Sequence, residues 1–415
     1  MTHDDLSTSD GVRRIARITA VGLILILTLP PETAGGSGTL SPWCLVCGAW
    51  GTADLILNVF LFVPLGLAVA RPGRGPGAVA AALLAGATLS GFVESVQFFV
   101  PGRYPTLADV VANGTGAAAG GILGTTHSRW LRPSDTGAAT LSFVWGGTLA
   151  CLFAGTAYLL IPAIHGDRHR LQWAPALEQY ATFPGTVLSV AAGRTVLHPG
   201  PLEGREIRAL EHSLAGERSL LVTTRFGAPP PSLAPVLRLT DRTDRDVLVL
   251  GQDGRDLVLR LRRRADYVRL RRPELRAGGV LAGVRSGDSA TVGVHPGNDS
   301  DSGNTLCLQA GSNRRCGLGF PVGRGWALLV DLEVPDTAAR SIDIGWIAAL
   351  VLPLGLWFRP SWRWGIGLSA GVAGLIFAPA IGPVVAAGWA EAAGVVGGLA
   401  SGFLVRAAQS SPSSP

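Results

Sequence analysis

The stretch SGFVESVQFFVPGRYPTLADVVANGTGAAAG, residues 90–120, decides how the chain is read. Two apolar segments flank a short Pro-Gly turn, and carboxylates, amides and an arginine stand in or beside both. Ser90, Glu94 and Gln97 follow an i, i+4, i+7 spacing that puts them on one helix face, and Asp109, Asn113, Gly116 and Gly120 repeat the arrangement on the next segment. A charged side chain at the centre of a bilayer costs ~2.5–3.5 kcal/mol on insertion scales, so such groups are expected to face the interior of a helix bundle and to find partners there.

Working outward, apolar runs that approach the ~20 residues needed to cross a bilayer lie near 14–30, 53–70, 78–100, 108–125 and 138–163. Hydrophobicity returns at 342–358 and at 364–405, where Pro379 and Gly382-Pro383 break a run long enough to cross twice. The expectation is an α-helical transmembrane bundle of about eight spans. Its parts are a cytoplasmic N-terminus (1–13), a four-helix domain (14–130), a fifth span (138–163), C-terminal spans (342–405) and a disordered cytoplasmic tail (406–415). Composition agrees: of 415 residues, 47% are hydrophobic and 15% charged, and mean hydropathy is +0.35. The N-terminal span lacks a convincing cleavage site and reads as an uncleaved anchor. Every basic residue other than histidine is arginine, a compositional bias, and no basic helix or nucleic-acid motif accompanies the high isoelectric point, so nucleic acid is not an expected partner.

Arginines orient the chain. Arg13, Arg14 and Arg17, then Arg71 and Arg74, Arg129 and Arg132, and Arg359 and Arg363 fall in alternate loops, which are expected to be cytoplasmic. The same parity puts residues 165–338 outside. That segment carries most of the charge, has no apolar run of spanning length, and alternates apolar and polar residues in runs such as SLLVTTRF (219–226) and DVLVLGQDGRDLVLRLR (246–262). GQDGRD supplies a hairpin turn between two of these runs. About ten strands fit, as an inserted extracytoplasmic all-β sandwich or jelly roll.

Cys307 and Cys316 flank a hydrophilic loop in this outer domain and are expected to form a disulfide. Cys44 and Cys47 form a CxxC in the first outer loop, where a structural disulfide is the favoured reading over a redox pair; Cys151 reads as a small apolar packing residue. Asp241, Asp244 and Asp246 read as a solvated turn, and no metal or cofactor is expected. Glu391 in the last span is a separate polar group that could pair with an arginine or mark a second polar site.

NVFLFVPLG (58–66), SGFVESVQ (90–97), Arg103 and DVVANGTGAAAG (109–120) together resemble the VanZ family over residues 15–130. Motif positions are occupied by Asn58, Pro64, Gly66, Glu94, Gln97, Arg103, Asp109, Asn113 and Gly116, with Pro64, Gly66, Gly116 and Gly120 as helix-packing positions. The resemblance implies an envelope protein linked to glycopeptide (teicoplanin) resistance and reveals no mechanism. Residues 175–335 more loosely resemble concanavalin A-like or laminin G-like sandwiches, which implies carbohydrate binding.

The polar residues all lie toward the outer leaflet in this topology. One reading is a pocket in which Asn58, Glu94, Gln97, Arg103, Asp109 and Asn113 bind a lipid headgroup, a lipid-linked cell-wall precursor, a glycan or a glycopeptide, with Arg103 pairing with phosphate. A second is an internal salt-bridge network that only orients the helices. A third is a membrane enzyme with Glu94 or Asp109 as general base, which no distinctive catalytic motif supports. No catalytic residue is assigned. A transporter is disfavoured, because the inner half of the bundle is lined by Ala, Leu, Val and Gly.

Overall fold

The computed structural model of the protein describes residues 3–30, 43, 48–70, 75–103, 105–164, 169–214, 217–297, 305–332 and 334–410. Two compact units follow one another, Met1–Leu141 and Ser142–Pro415.

The first unit contains α1 (His3–Thr28), α2 (Gly51–Val69), α3 (Gly75–Gln97), α4 (Leu107–Thr125), the single turn α5 (His127–Leu131) and the start of α6 (Asp135–Leu159). Helix α1 begins at His3, ahead of the apolar run expected near 14–30, because hydropathy marks where a helix becomes apolar and not where it starts. Glycine sets how closely α2 and α4 approach. A Cβ on Gly116 would stand 2.1 Å from the Val59 carbonyl oxygen, one on Gly120 2.1 Å from that of Val63, and one on Gly66 2.0 Å from that of Ala117. Such backbone contact is how helices associate in lipid, where apolar burial drives little. Pro64 lies inside α2 and removes one backbone donor there. Ala20, Ile24, Phe62, Leu65 and Ala117 form the buried apolar centre of α1, α2 and α4.

The second unit takes the rest of α6 and then a β-rich region. Its elements are β1 (His169–Trp173), β2 (Thr186–Ala192), β3 (Thr195–Leu197), β4 (Gly200–Leu202), α7 (Arg205–Leu214), β5 (Leu220–Arg225), β6 (Ala234–Thr240), β7 (Asp246–Asp253) and β8 (Asp256–Leu261). After the turn α8 (Arg264–Tyr267) come β9 (Leu275–Ala277), β10 (Ser289–Pro296), β11 (Leu306–Ala310), β12 (Asn313–Leu318) and β13 (Phe320–Pro321), then a 3-10 segment, Val322–Leu328. Two six-stranded sheets result, in the orders β4-β1-β6-β7-β8-β9 and β12-β11-β10-β5-β2-β3, with every pairing antiparallel. Helix α7 was not foreseen, and the strands exceed the ten expected because several have only two or three residues.

Register explains the first sheet. Leu239 faces Leu171 and Leu248, Leu250 faces Leu237 and Leu259, and Leu261 faces Leu248, so one face is a continuous leucine layer. The opposite face alternates Val236, Val249 and Val258 with Arg238, Arg260 and Arg276, whose charges are met by acids nearby. The β7–β8 hairpin turns through Gly254 and Arg255, with Asp253 opposite Asp256, and Gly254 takes the positive φ of +56° that this tight turn needs. Cys307 and Cys316, on neighbouring β11 and β12, are joined by a disulfide.

The chain then continues through α9 (Asp336–Leu356), α10 (Trp362–Phe377), a 3-10 turn Ala378–Ala380, β14 (Val384–Val385, parallel to β13) and α11 (Trp389–Ser410). Pro379 and Gly382-Pro383 do separate two helices, and α11 carries residues 406–410, expected to be disordered, to Ser410. Gly394, Gly398 and Gly402 face α9: Cβ atoms there would stand 2.7 Å from Ile347 Cβ, 2.5 Å from the Ala348 oxygen and 2.2 Å from the Leu352 oxygen. This is again small-residue packing.

Among the described residues, five helices are long and apolar enough to cross a membrane: α2, α3, α6, and residues Thr337–Leu356 and Trp389–Gln409 of α9 and α11. Helices α1, α4 and α10 occupy the other three expected positions. Helix α10 has 16 residues, about 24 Å at 1.5 Å per residue, less than the ~30 Å hydrocarbon core.

Candidate functional site

Asp109 stands in the first turn of α4, near the positive end of the helix dipole. The cap of that helix is Thr106, whose hydroxyl accepts from Asp109 N (3.2 Å) and donates to Asp109 Oδ2 (2.8 Å). Asp109 Oδ1 accepts from the Asn58 amide across on α2. Thr106 also donates its backbone N–H to Glu94 Oε2 at 2.9 Å, so one threonine links the carboxylates of α3 and α4. Asn58, Glu94, Thr106 and Asp109 thus form one connected cluster, in which Glu94 and Thr106 are buried and Asn58 and Asp109 partly so.

The remaining predicted residues extend it. Gln97, buried, donates to the Thr28 carbonyl at 2.8 Å, tying α3 to the end of α1. Arg103 Nε donates to the Pro30 carbonyl at 3.1 Å, and its charge lies close enough to Glu94 and Asp109 to act on both. Asn113, one turn below Asp109, donates to Ser90 Oγ at 2.9 Å, while its Oδ1 is buried with no hydrogen-bond partner among the described residues. An unpaired buried amide oxygen is costly, since it has lost water without replacement.

These contacts lie at the end of the bundle where α3 turns into α4. At the opposite end, Arg17 Nε donates to the Ala68 carbonyl at 3.0 Å, where α2 finishes and its dipole favours a cation. Carboxylates, amides and Arg103 thus gather at one end, and Arg17 meets the end of α2 at the other.

Residues 14–127 match the family model VanZ/LLP1. This segment is VanZ-like. Among curated proteins and among solved structures, none matches the chain. The whole polar cluster and the α2–α4 glycine contacts fall inside the VanZ-like segment, and the β-rich region falls outside it.

Thr106 is the residue that sequence reasoning missed. Its signal was present, because TLAD (106–109) has the form of a capping box ahead of an apolar run. Cys44 and Cys47 lie outside the described residues. Cys151 is exposed on α6 and not packed in a core, as suits a helix surface of lipid-facing composition.

The second unit places its own candidates. Asp241 binds Arg262 Nη1 at 2.8 Å and accepts from Thr243, while Asp244 and Asp246 bind Arg238 at 3.1 and 2.6 Å. The three aspartates are held by arginines. Burial acts against the charge of Asp241, but hydrogen bonds from Thr243, Arg262 and Arg245 outweigh it and hold the carboxyl well below the usual carboxylate range. Glu391 Oε2 accepts from Gly388 N at 2.9 Å at the start of α11, a capping contact and not an arginine pair. Asp343 accepts from Trp326 Nε1 at 2.7 Å and pairs with Arg324 at 3.0 Å, fixing the 3-10 segment to α9.

Proposed function

We propose that the protein is a multi-pass envelope membrane protein whose VanZ-like segment binds a polar headgroup at the outer leaflet, of a lipid, a lipid-linked cell-wall precursor or a glycopeptide, and so contributes to glycopeptide resistance. The carrying observation is the meeting of Glu94, Arg103 and Asp109 with the amides Asn58, Gln97 and Asn113 at one end of one bundle, within the span matched by VanZ/LLP1. Arg103 offers a planar cation to phosphate or carboxylate. The half-buried Asp109 and Asn58 offer hydrogen bonds to sugar or peptide.

Arginine parity supports an outer location for this end and for the β-rich region. We read the two sheets as layers of one extracytoplasmic sandwich, with carbohydrate as the ligand class such layers suggest. Strands β6 and β7 are buried along nearly their whole length, so a sugar surface would belong to the outer strands of either sheet. The general-base alternative gains little from the geometry. Glu94 and Asp109 both accept hydrogen bonds that fix them in place.

The test compares cells expressing wild type, E94Q, R103A or D109N at equal folded membrane levels, reading glycopeptide susceptibility and surface-bound labelled teicoplanin. Wild type is expected to lower bound drug and raise survival, and each substitution to abolish both effects. Variants that match wild type, or a wild type without effect, would reduce the cluster to a device for orienting helices.

A further inference from the structure

A second site lies where the β-rich region meets the ends of α6 and α11, a cleft of about 580 Å³ within the 300–1,000 Å³ usual for ligand pockets. Leu261, Leu306, Leu318 and Phe320 give it apolar walls, while Pro162, just past α6, and Pro383, ahead of α11, place it beside the helix ends. In this apolar setting stands Arg263, only 5% exposed.

The environment of Arg263 is unusual for a cation. Its Nη1 donates to the Leu160 carbonyl, its guanidinium lies 4.6 Å from the Phe320 ring centroid, and its Nε has no hydrogen-bond partner among the described residues. Asp266, whose charge acts on Arg263, accepts the Arg263 backbone N–H at 2.9 Å and gives its other oxygen to Arg272. Arg263 makes no ion pair among the described residues. Burial lowers its pKa to about 10, with Asp266 opposing and Arg272 assisting, so it remains a cation at neutral pH. A buried cation that makes no direct ion pair is disfavoured, and a ligand anion would relieve it. Glu211, half-buried, is the other ionisable lining residue, which leaves the Arg263 end as the place for an anionic group.

We propose that this cleft binds a membrane lipid, with an acyl chain against Leu261, Leu306, Leu318 and Phe320 and an anionic headgroup on Arg263. Bilayer lipids present this combination at the ends of spanning helices, where headgroup and chain meet. The site is independent of the polar cluster in the VanZ-like segment.

The experiment uses the full chain, purified in detergent and delipidated. Native mass spectrometry measures retention of phosphatidylglycerol, of phosphatidylcholine with the same acyl chains, and of phosphatidylglycerol with inorganic phosphate in excess. Wild type should retain one phosphatidylglycerol at least tenfold more strongly than phosphatidylcholine, and phosphate should not displace it. R263Q should lose the preference, and L318W, which fills the cleft and leaves the cation in place, should lose the bound lipid. Circular dichroism establishes that each variant is folded; should R263Q not fold, L318W decides. Equal retention of both lipids, full displacement by phosphate, or unchanged retention in L318W overturns the proposal.

Discussion

Asp109 receives two side-chain hydrogen bonds, and Thr106 serves at once as helix cap and as the link from α4 to Glu94. Periodicity could identify Asp109, Glu94, Gln97 and Asn113 because polar residues in apolar segments stand out. It could not reveal Thr106 as a hub, because its decisive bond to Glu94 uses the backbone N–H, which no residue code advertises. Nor could spacing foretell that Gln97 and Arg103 bind carbonyl groups of Thr28 and Pro30. In the β-rich region, Asp241 supplies a prediction of its own. Its carboxyl sits below its usual value of 3.8 in the fold, so its stabilisation is complete above about pH 4 and is lost as pH falls further, toward the folded value. Asp241→Ala should therefore lower stability by roughly 1.5–3 kcal/mol at neutral pH, the scale of a charge-assisted hydrogen bond. Thermal melts of the full chain in detergent, followed by circular dichroism, should show this gap closing in acid. A gap of constant size at every pH would mean that the Asp241 charge is not what matters.

Helix packing makes its own demands. Gly116 meets the Val59 carbonyl so closely that an added Cβ would require α2 and α4 to separate, whereas Gly91 on α3 has nothing within 4 Å of its Cβ position. Gly116→Ala should cost about 1–3 kcal/mol through overpacking. Gly91→Ala should be neutral or stabilising by about 0.5–1 kcal/mol, since it only removes backbone freedom. The fraction of each variant that stays monodisperse after graded heating in detergent separates the two, and equal losses would contradict the α2–α4 contact. Spacing made Gly116 and Gly120 legible. The Gly394, Gly398 and Gly402 series carries the same four-residue signal on α11. Helix α7 and the shortest strands were not legible: two- and three-residue strands are below the length at which alternation can be seen, and α7 buries only Ala209, Leu210, Ser213 and Leu214.

For the whole molecule, hydropathy located the five helices among the described residues that are long and apolar enough to cross a membrane, and the charged β-rich insertion, and alternation with turn residues marked that insertion as antiparallel strands without the shortest of them. What it left open was length at the ends, as in α1 and α11, where helix continues past the apolar stretch. Both functional readings depend on one further property, the side of the membrane that each part faces. Cysteines placed singly at Pro101 in the α3–α4 turn, at Ser286 in the β-rich region and at Ser128 after α4, all exposed positions, test it most directly. With labelling of the unsubstituted chain subtracted, a membrane-impermeant maleimide should react in intact cells with P101C and S286C, and with S128C only after permeabilisation. Labelling of S128C from outside, with P101C protected, would invert the bundle, put the Glu94–Arg103–Asp109 cluster at the inner leaflet and contradict the account.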